Sequence, residues 1–245
     1  MNFPSPLFQK DFRSALRSPV AWSGFAGSAA VFAALVAAGM KSGVDGADGG
    51  ANFAANDTFA AFFCSRLLLA LCVPCALFTM GLFSGERARG TLDTLLAAPI
   101  SERAMALSKF WAAFALVCVS MVFAAGTVFI YLRLAAPPPE FSIAETAGGL
   151  AACVLMAAVW TAAGTFFSAL SFHQPPSCVA TLAFALGSAS LLTRSFPGFT
   201  DAAFPDLADF ARGAADTRVV FAALTLVVFF LTLATRTLQF RRCGK

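Results

Sequence analysis

Two long apolar runs, Phe59 to Phe83 and Lys109 to Leu132, constrain this chain more than any other feature. As helices rising about 1.5 Å per residue, each is long enough to cross about 30 Å of hydrocarbon. Between them lies a charged interruption, running from Ser84-Gly85-Glu86-Arg87 through Arg89-Gly90-Thr91-Leu92-Asp93 to Pro99. Such a break marks a place where the chain leaves the membrane and meets something in water. The composition agrees: 59% hydrophobic, 12% charged and a mean hydropathy of +0.78 lie far from a soluble balance.

Apolar runs read against turn signals give six spans within a single domain covering 1–245. They are 19–40, 59–83, 109–132, 147–172, 177–192 and 217–238. The fold class is therefore an all-α membrane protein, and the even count places both termini on one side. Of the 17 Lys and Arg, 11 gather on that side: Lys10, Arg13, Arg17, Arg87, Arg89, Arg103, Lys109, Arg236, Arg241, Arg242 and Lys245. Lys41, Arg133, Arg194, Arg212 and Arg218 lie opposite, with most of the acids, and Arg66 stands within a span. The positive-inside rule then predicts cytoplasmic termini and outer loops facing the periplasm or exterior. The basic residues end apolar runs and form no basic face, which argues against nucleic acid as a partner.

Residues 1–18 repeat Phe8, Phe12, Ala15 and Leu16 at helical spacing, with Lys10, Asp11, Arg13 and Arg17 on the other face. That pattern predicts a helix lying in the interface. Ser18-Pro19 then offers an N-cap and a first-turn proline for the first span. This span lacks the short core and small-residue cleavage site of a signal peptide, so the N-terminus is expected to be retained. The fifth span is the shortest, and the connection 194–216 after it is too long and too apolar for a simple turn. Phe204, Leu207, Phe210 and Ala211 share one face there, predicting a re-entrant or interfacial segment on the outer side.

In the interruption itself, residues 84–101, Gly85 and Gly90 bracket a polar turn. Leu92, Leu95 and Leu96 form an apolar face, and Pro99 blocks continuation into the next helix. A short amphipathic helix beneath the membrane is expected, with Ser101 capping the helix that follows and Lys109 near the headgroups.

These residues resemble the permease subunits of type 2 ATP-binding-cassette exporters, in their gliding-motility and copper-processing-like branch. Three blocks carry the resemblance. Lys10-Asp11-Phe12-Arg13-Ser14 through Ser18-Pro19-Val20-Ala21-Trp22 is similar to the entry block. Thr79-Met80 through Glu86, Gly90-Thr91-Leu92-Asp93, Leu95-Leu96, Pro99-Ile100-Ser101 and Lys109-Phe110 are similar to the coupling-helix block. Arg212-Gly213-Ala214-Ala215-Asp216-Thr217-Arg218 resembles the closing block. Asp93 stands where the family usually carries glutamate, a shorter carboxylate of equal charge.

The resemblance implies a permease paired with a second copy or a sister permease in the bacterial inner membrane, seated on two copies of a separate ATPase that binds ATP and Mg. Glu86, Arg87, Arg89, Gly90, Thr91, Leu92, Asp93, Leu95, Leu96 and Pro99 would couple to that ATPase, with Phe172-His173-Gln174-Pro175-Pro176 as a smaller second contact. The chain holds no Gly-x-x-x-x-Gly-Lys-Ser/Thr loop, so nucleotide chemistry is assigned to the partner and none to this chain. The alternatives are a non-transporting anchor or force transmitter of a motility or secretion complex, and a passive channel.

Arg66 is a candidate pathway or dimer contact, because a charge inside a span is costly unless it faces protein or water; snorkelling to the outer headgroups is the plainer reading. Cys72 and Cys75 form a Cys-x-x-Cys but, with Cys64, Cys118, Cys153 and Cys178, lie in apolar spans, where cysteine packs as a small hydrophobe. His173 is the sole histidine and has no second ligand near it in sequence, so no metal site is expected. No span carries a nucleophile with a base, paired aspartates or His-Glu-x-x-His, which argues against an intramembrane enzyme.

Overall fold

The computed structural model describes residues 6–44, 59–91, 101–134, 143–192 and 217–243, and their only regular structure is helical. The helices are α1 (Pro6–Arg17), α2 (Pro19–Val44), α3 (Phe59–Met80), α4 (Ser84–Ala88), α5 (Glu102–Leu134), α6 (Ile143–Leu170), α7 (Gln174–Leu192) and α8 (Thr217–Cys243). A helix satisfies its own backbone groups, which is what a segment surrounded by lipid requires.

Four stretches are long and apolar enough to cross a membrane: Arg66–Ala88, Glu102–Ala124, Thr146–Leu170 and Val219–Phe240. A fifth is reached if α1 and α2, bent by 69° to one another, count together. The α7 helix, where the shortest of the expected spans lies, is not in this set. The bend after α1 falls at Ser18, where the Trp22 indole N–H reaches back to the Leu16 carbonyl at 3.0 Å. The expected connection 194–216 lies outside the described residues, as does 92–100.

One boundary differs from the sequence reading: helix α3 stops at Met80, short of Phe83. Helix α5 begins at Glu102, directly after the expected Ser101 cap and ahead of the apolar run 109–132. The early start follows from Ser101, whose side-chain oxygen accepts the Ala104 N–H at 3.3 Å and whose carbonyl accepts the Met105 N–H at 3.1 Å. Lys109 therefore sits about two turns inside this helix.

Helix α3 is central, packed against α2, α5, α6 and α7, while α6 also carries α8 on another side. The core joins Phe25 and Phe32 of α2, Leu67, Leu68 and Leu71 of α3, Val117 of α5, and Ala157 and Trp160 of α6. Cys64, Cys72, Cys75 and Cys153 are free and buried within it. The Trp160 indole N–H is satisfied by Ser188 Oγ at 2.7 Å, linking α6 to α7. At Gly164 the backbones of α3 and α6 come so close that an added Cβ would lie 2.7 Å from the Thr79 Cβ. Outward-facing Val122, Phe221 and Val228 are more than half exposed, as suits helices solvated by lipid.

Candidate coupling site

The end of α3 is held by α6. Beyond Met80 the chain turns through Gly81-Leu82-Phe83 into α4, and the Ser168 hydroxyl serves that turn on both sides. Its oxygen accepts the Phe83 and Ser84 N–H groups at 3.0 and 3.3 Å, and its O–H donates to the Met80 carbonyl at 3.2 Å. The Ser84 hydroxyl also donates to the Met80 carbonyl. Helix ends leave unpaired carbonyls and amides, and here one side chain meets both needs. Phe83 is fully buried with Met105, Ala106, Ala169 and Leu238, giving α4 an apolar floor made from three other helices.

On that floor α4 presents Glu86 to α5 and Arg87 to α6. Glu86 Oε1 lies 2.7 Å from Lys109 Nζ, and Asp11 Oδ2 of α1 lies 3.4 Å from the same nitrogen. The ammonium also sits 5.4 Å from the centre of the Phe83 ring. The side chain of Lys109 is only 3% exposed, against 19% for Glu86 and 18% for Asp11. An ammonium so far from water needs opposite charge close by, and it receives it from two helices at once. The triad therefore ties α1, α4 and α5 at one point.

Arg87 fastens the other side of α4. Its guanidinium donates to the Ser171 carbonyl and, at 3.1 Å, to the Ala169 carbonyl, and lies 5.3 Å from the Phe172 ring centre. These carbonyls belong to the C-terminal end of α6, the negative end of the helix dipole, so a cation is doubly favoured there. Gly85 presses α4 against the start of α7: an added Cβ would stand 3.0 Å from Gln174 Nε2.

Helix α4 ends in a left-handed turn at Gly90 (φ 71°), with the Gly90 N–H bonded to Arg87 O and the Thr91 N–H to Glu86 O, both at 3.0 Å. Only glycine takes this backbone without strain. Ala88, Arg89, Gly90 and Thr91 are exposed, and so are Phe172, His173, Pro175 and Pro176 of the adjacent turn.

The structure thus divides the residues singled out from the sequence. Glu86 and Arg87 face inward and are tied to other helices, whereas Arg89, Gly90 and Thr91 are exposed, the Arg89 Nε–H and the Thr91 hydroxyl donating to the Gly85 and Glu86 carbonyls of α4 itself at 3.2 Å. Leu92, Asp93, Leu95, Leu96 and Pro99 lie outside the described residues. Arg66 is half-buried on α3, about four turns from Met80, and takes no part in this site. The 172–176 turn, expected as a separate minor contact, lies directly beside α4. Periodicity puts Asp11 on the polar face of α1, whereas the structure turns it inward to Lys109, which Glu86 also meets. A lone lysine deep in an apolar helix was the signal available for this, since it demands a carboxylate partner.

Residues 11–188, well over half of the chain, match the family model for the ABC-2 family transporter protein. The chain belongs to the ABC-2 transporter family. It is a multi-pass membrane permease component of an ABC transporter, and membership implies association with an ABC ATPase. The matched region opens at Asp11 and contains Glu86 and Lys109, so the whole triad lies inside it. Comparison with curated protein sequences gives no match.

Proposed function

We propose that this permease pairs with a second copy or a sister permease, sits on two copies of an ABC ATPase, and exports its substrate by alternating access. The observation that carries this reading is the mounting of α4: its inner face is tied to α1, α5 and α6 by Lys109 and Arg87, while Ala88 to Thr91 are left exposed beside the exposed 172–176 turn. A surface built in this way suits a partner that pushes. In this reading the exposed edge, with the segment through Leu92, Asp93, Leu95, Leu96 and Pro99, docks on the ATPase. ATP and Mg bound by that partner close its subunits, and α4 moves with them. The triad then carries the motion to α1 and α5, and Arg87 carries it to α6. Glu86 and Arg87 serve this scheme as internal struts, and Arg89 and Thr91 as contact residues.

The same reading takes six spans with cytoplasmic termini in a bacterial inner membrane, and the gliding-motility and copper-processing-like branch, from the basic asymmetry and the three sequence blocks. Co-purification with the ABC ATPase partner tests it, comparing ATP hydrolysis of the wild-type complex with Arg89→Glu and Asp93→Ala. Retained membrane insertion with loss of association or of stimulated hydrolysis is expected. A wild type that binds no ATPase would overturn the docking scheme in favour of the anchor or channel readings.

A further inference from the structure

A groove of about 420 Å³ runs between the beginning of α5 and the end of α8. Arg103, Arg236 and Gln239 line one end of it, and the remaining wall includes Leu107, Val228 and Leu231 together with the hydroxyl-bearing Thr232 and Thr235. We infer that this groove holds an anionic phospholipid, with the headgroup phosphate between Arg103 and Arg236 and an acyl chain along Leu107, Val228 and Leu231.

Three observations converge on this occupant. Both arginines are exposed, and neither forms an ion pair among the described residues. Both stand at the edge of the apolar layer: Arg103 is the second residue of α5, and Arg236 lies one turn before Phe240, where the apolar stretch of α8 ends. Val228 lies eight residues before Arg236, which at about 1.5 Å per residue carries the apolar wall about 12 Å inward. Charge at the interface and apolar surface running inward match the two halves of one lipid. A basic pocket between membrane helices is a known form of anionic headgroup site. Free phosphate would use only the first half of it. Helix α8 is also the least buried of the four long apolar stretches, so the groove opens sideways to lipid.

The inference rests on the membrane placement that the family gives and is independent of ATPase docking and of the direction of transport. Its test uses the full-length permease alone, in phosphatidylcholine nanodiscs doped with phosphatidylglycerol, with bound lipid read by native mass spectrometry after extraction. Phosphatidylglycerol is expected to be retained over phosphatidylcholine. Arg103→Gln with Arg236→Gln is expected to weaken retention about thirty-fold, from the contribution of two arginines near a lipid surface. Leu107→Trp, which fills the groove and spares both charges, is expected to weaken it as well, and inorganic phosphate is expected to leave it unchanged. Equal retention of the two lipids, unchanged retention in either well-folded variant, or displacement by inorganic phosphate would each overturn the proposal. Failure to bind an ATPase would leave this result untouched, so the two readings fail separately.

Discussion

Replacing Lys109 with Met keeps a long side chain among Phe83, α1 and α5 but leaves Glu86 and Asp11 facing one another without a cation. At an effective dielectric of 20, a unit-charge pair at the 2.7 Å Glu86 distance is worth about 6 kcal/mol and one at the 3.4 Å Asp11 distance about 5 kcal/mol. Desolvation cancels much of this in the intact triad, yet removing one partner of a buried pair typically costs about 3 to 5 kcal/mol, because the remaining charge is stranded. Lys109→Met is therefore expected to fall in that range. Glu86→Gln should cost less, since Asp11 stays with the lysine, and Lys109→Met with Glu86→Gln should be more stable than the sum of the single effects implies. A double-mutant cycle on the detergent-purified permease, read by SDS-induced unfolding, gives the coupling for each pair. Coupling of Lys109 to Glu86 should exceed that to Asp11. Additive single effects, or a Lys109→Met variant as stable as the wild type, would refute the claim that the triad joins the three helices.

Three other outcomes follow from the same geometry. Gly164→Ala should destabilise the bundle by about 1–3 kcal/mol through overpacking of α3 on α6, seen as a lowered Tm, and Thr79→Gly should partly restore it by vacating the space the new methyl needs. Arg87→Ala should free α4 from the end of α6 at a cost of about 1.5–3 kcal/mol, raising hydrogen exchange at residues 84–91, and Arg87→Lys should not rescue it because one ammonium lacks the fork that reaches both carbonyls. Arg89→Glu, which loses one local bond to the Gly85 carbonyl and a cation at the end of α4, should lower permease stability by only about 1 kcal/mol while reducing ATPase association, separating a contact residue from a strut.

The membrane class, the helical nature of every described segment and the amphipathic α1 were legible because hydropathy and the 3.6-residue period act within a single segment. Gly90 was legible as a turn for the same reason: a short polar stretch between apolar runs has to reverse, and glycine permits the left-handed backbone. Pairing between segments was not. Periodicity assigns Asp11 to the polar side of α1, but a buried lysine on α5 outweighs that local preference, since leaving it unpaired would cost more than turning one carboxylate inward. The inward roles of Glu86 and Arg87 were hidden in the same way. In sequence they belong to a charged, solvent-directed block, and only the approach of α5 and α6 separates them from Arg89 and Thr91. The close approach at Gly164 depends on Thr79, far away in sequence, and no pattern local to either residue announces it.

Coupling by this route requires that the exposed end of α4 and the 172–176 turn meet the ATPase. Single cysteines at Thr91 and His173, introduced into a cysteine-free permease, should cross-link to the co-purified ATPase with a yield that changes between nucleotide-free and ATP-bound states, while a cysteine at Leu186 of α7 should not. Cross-linking from Leu186 alone, or none from Thr91 and His173 in a complex that still hydrolyses ATP, would contradict it.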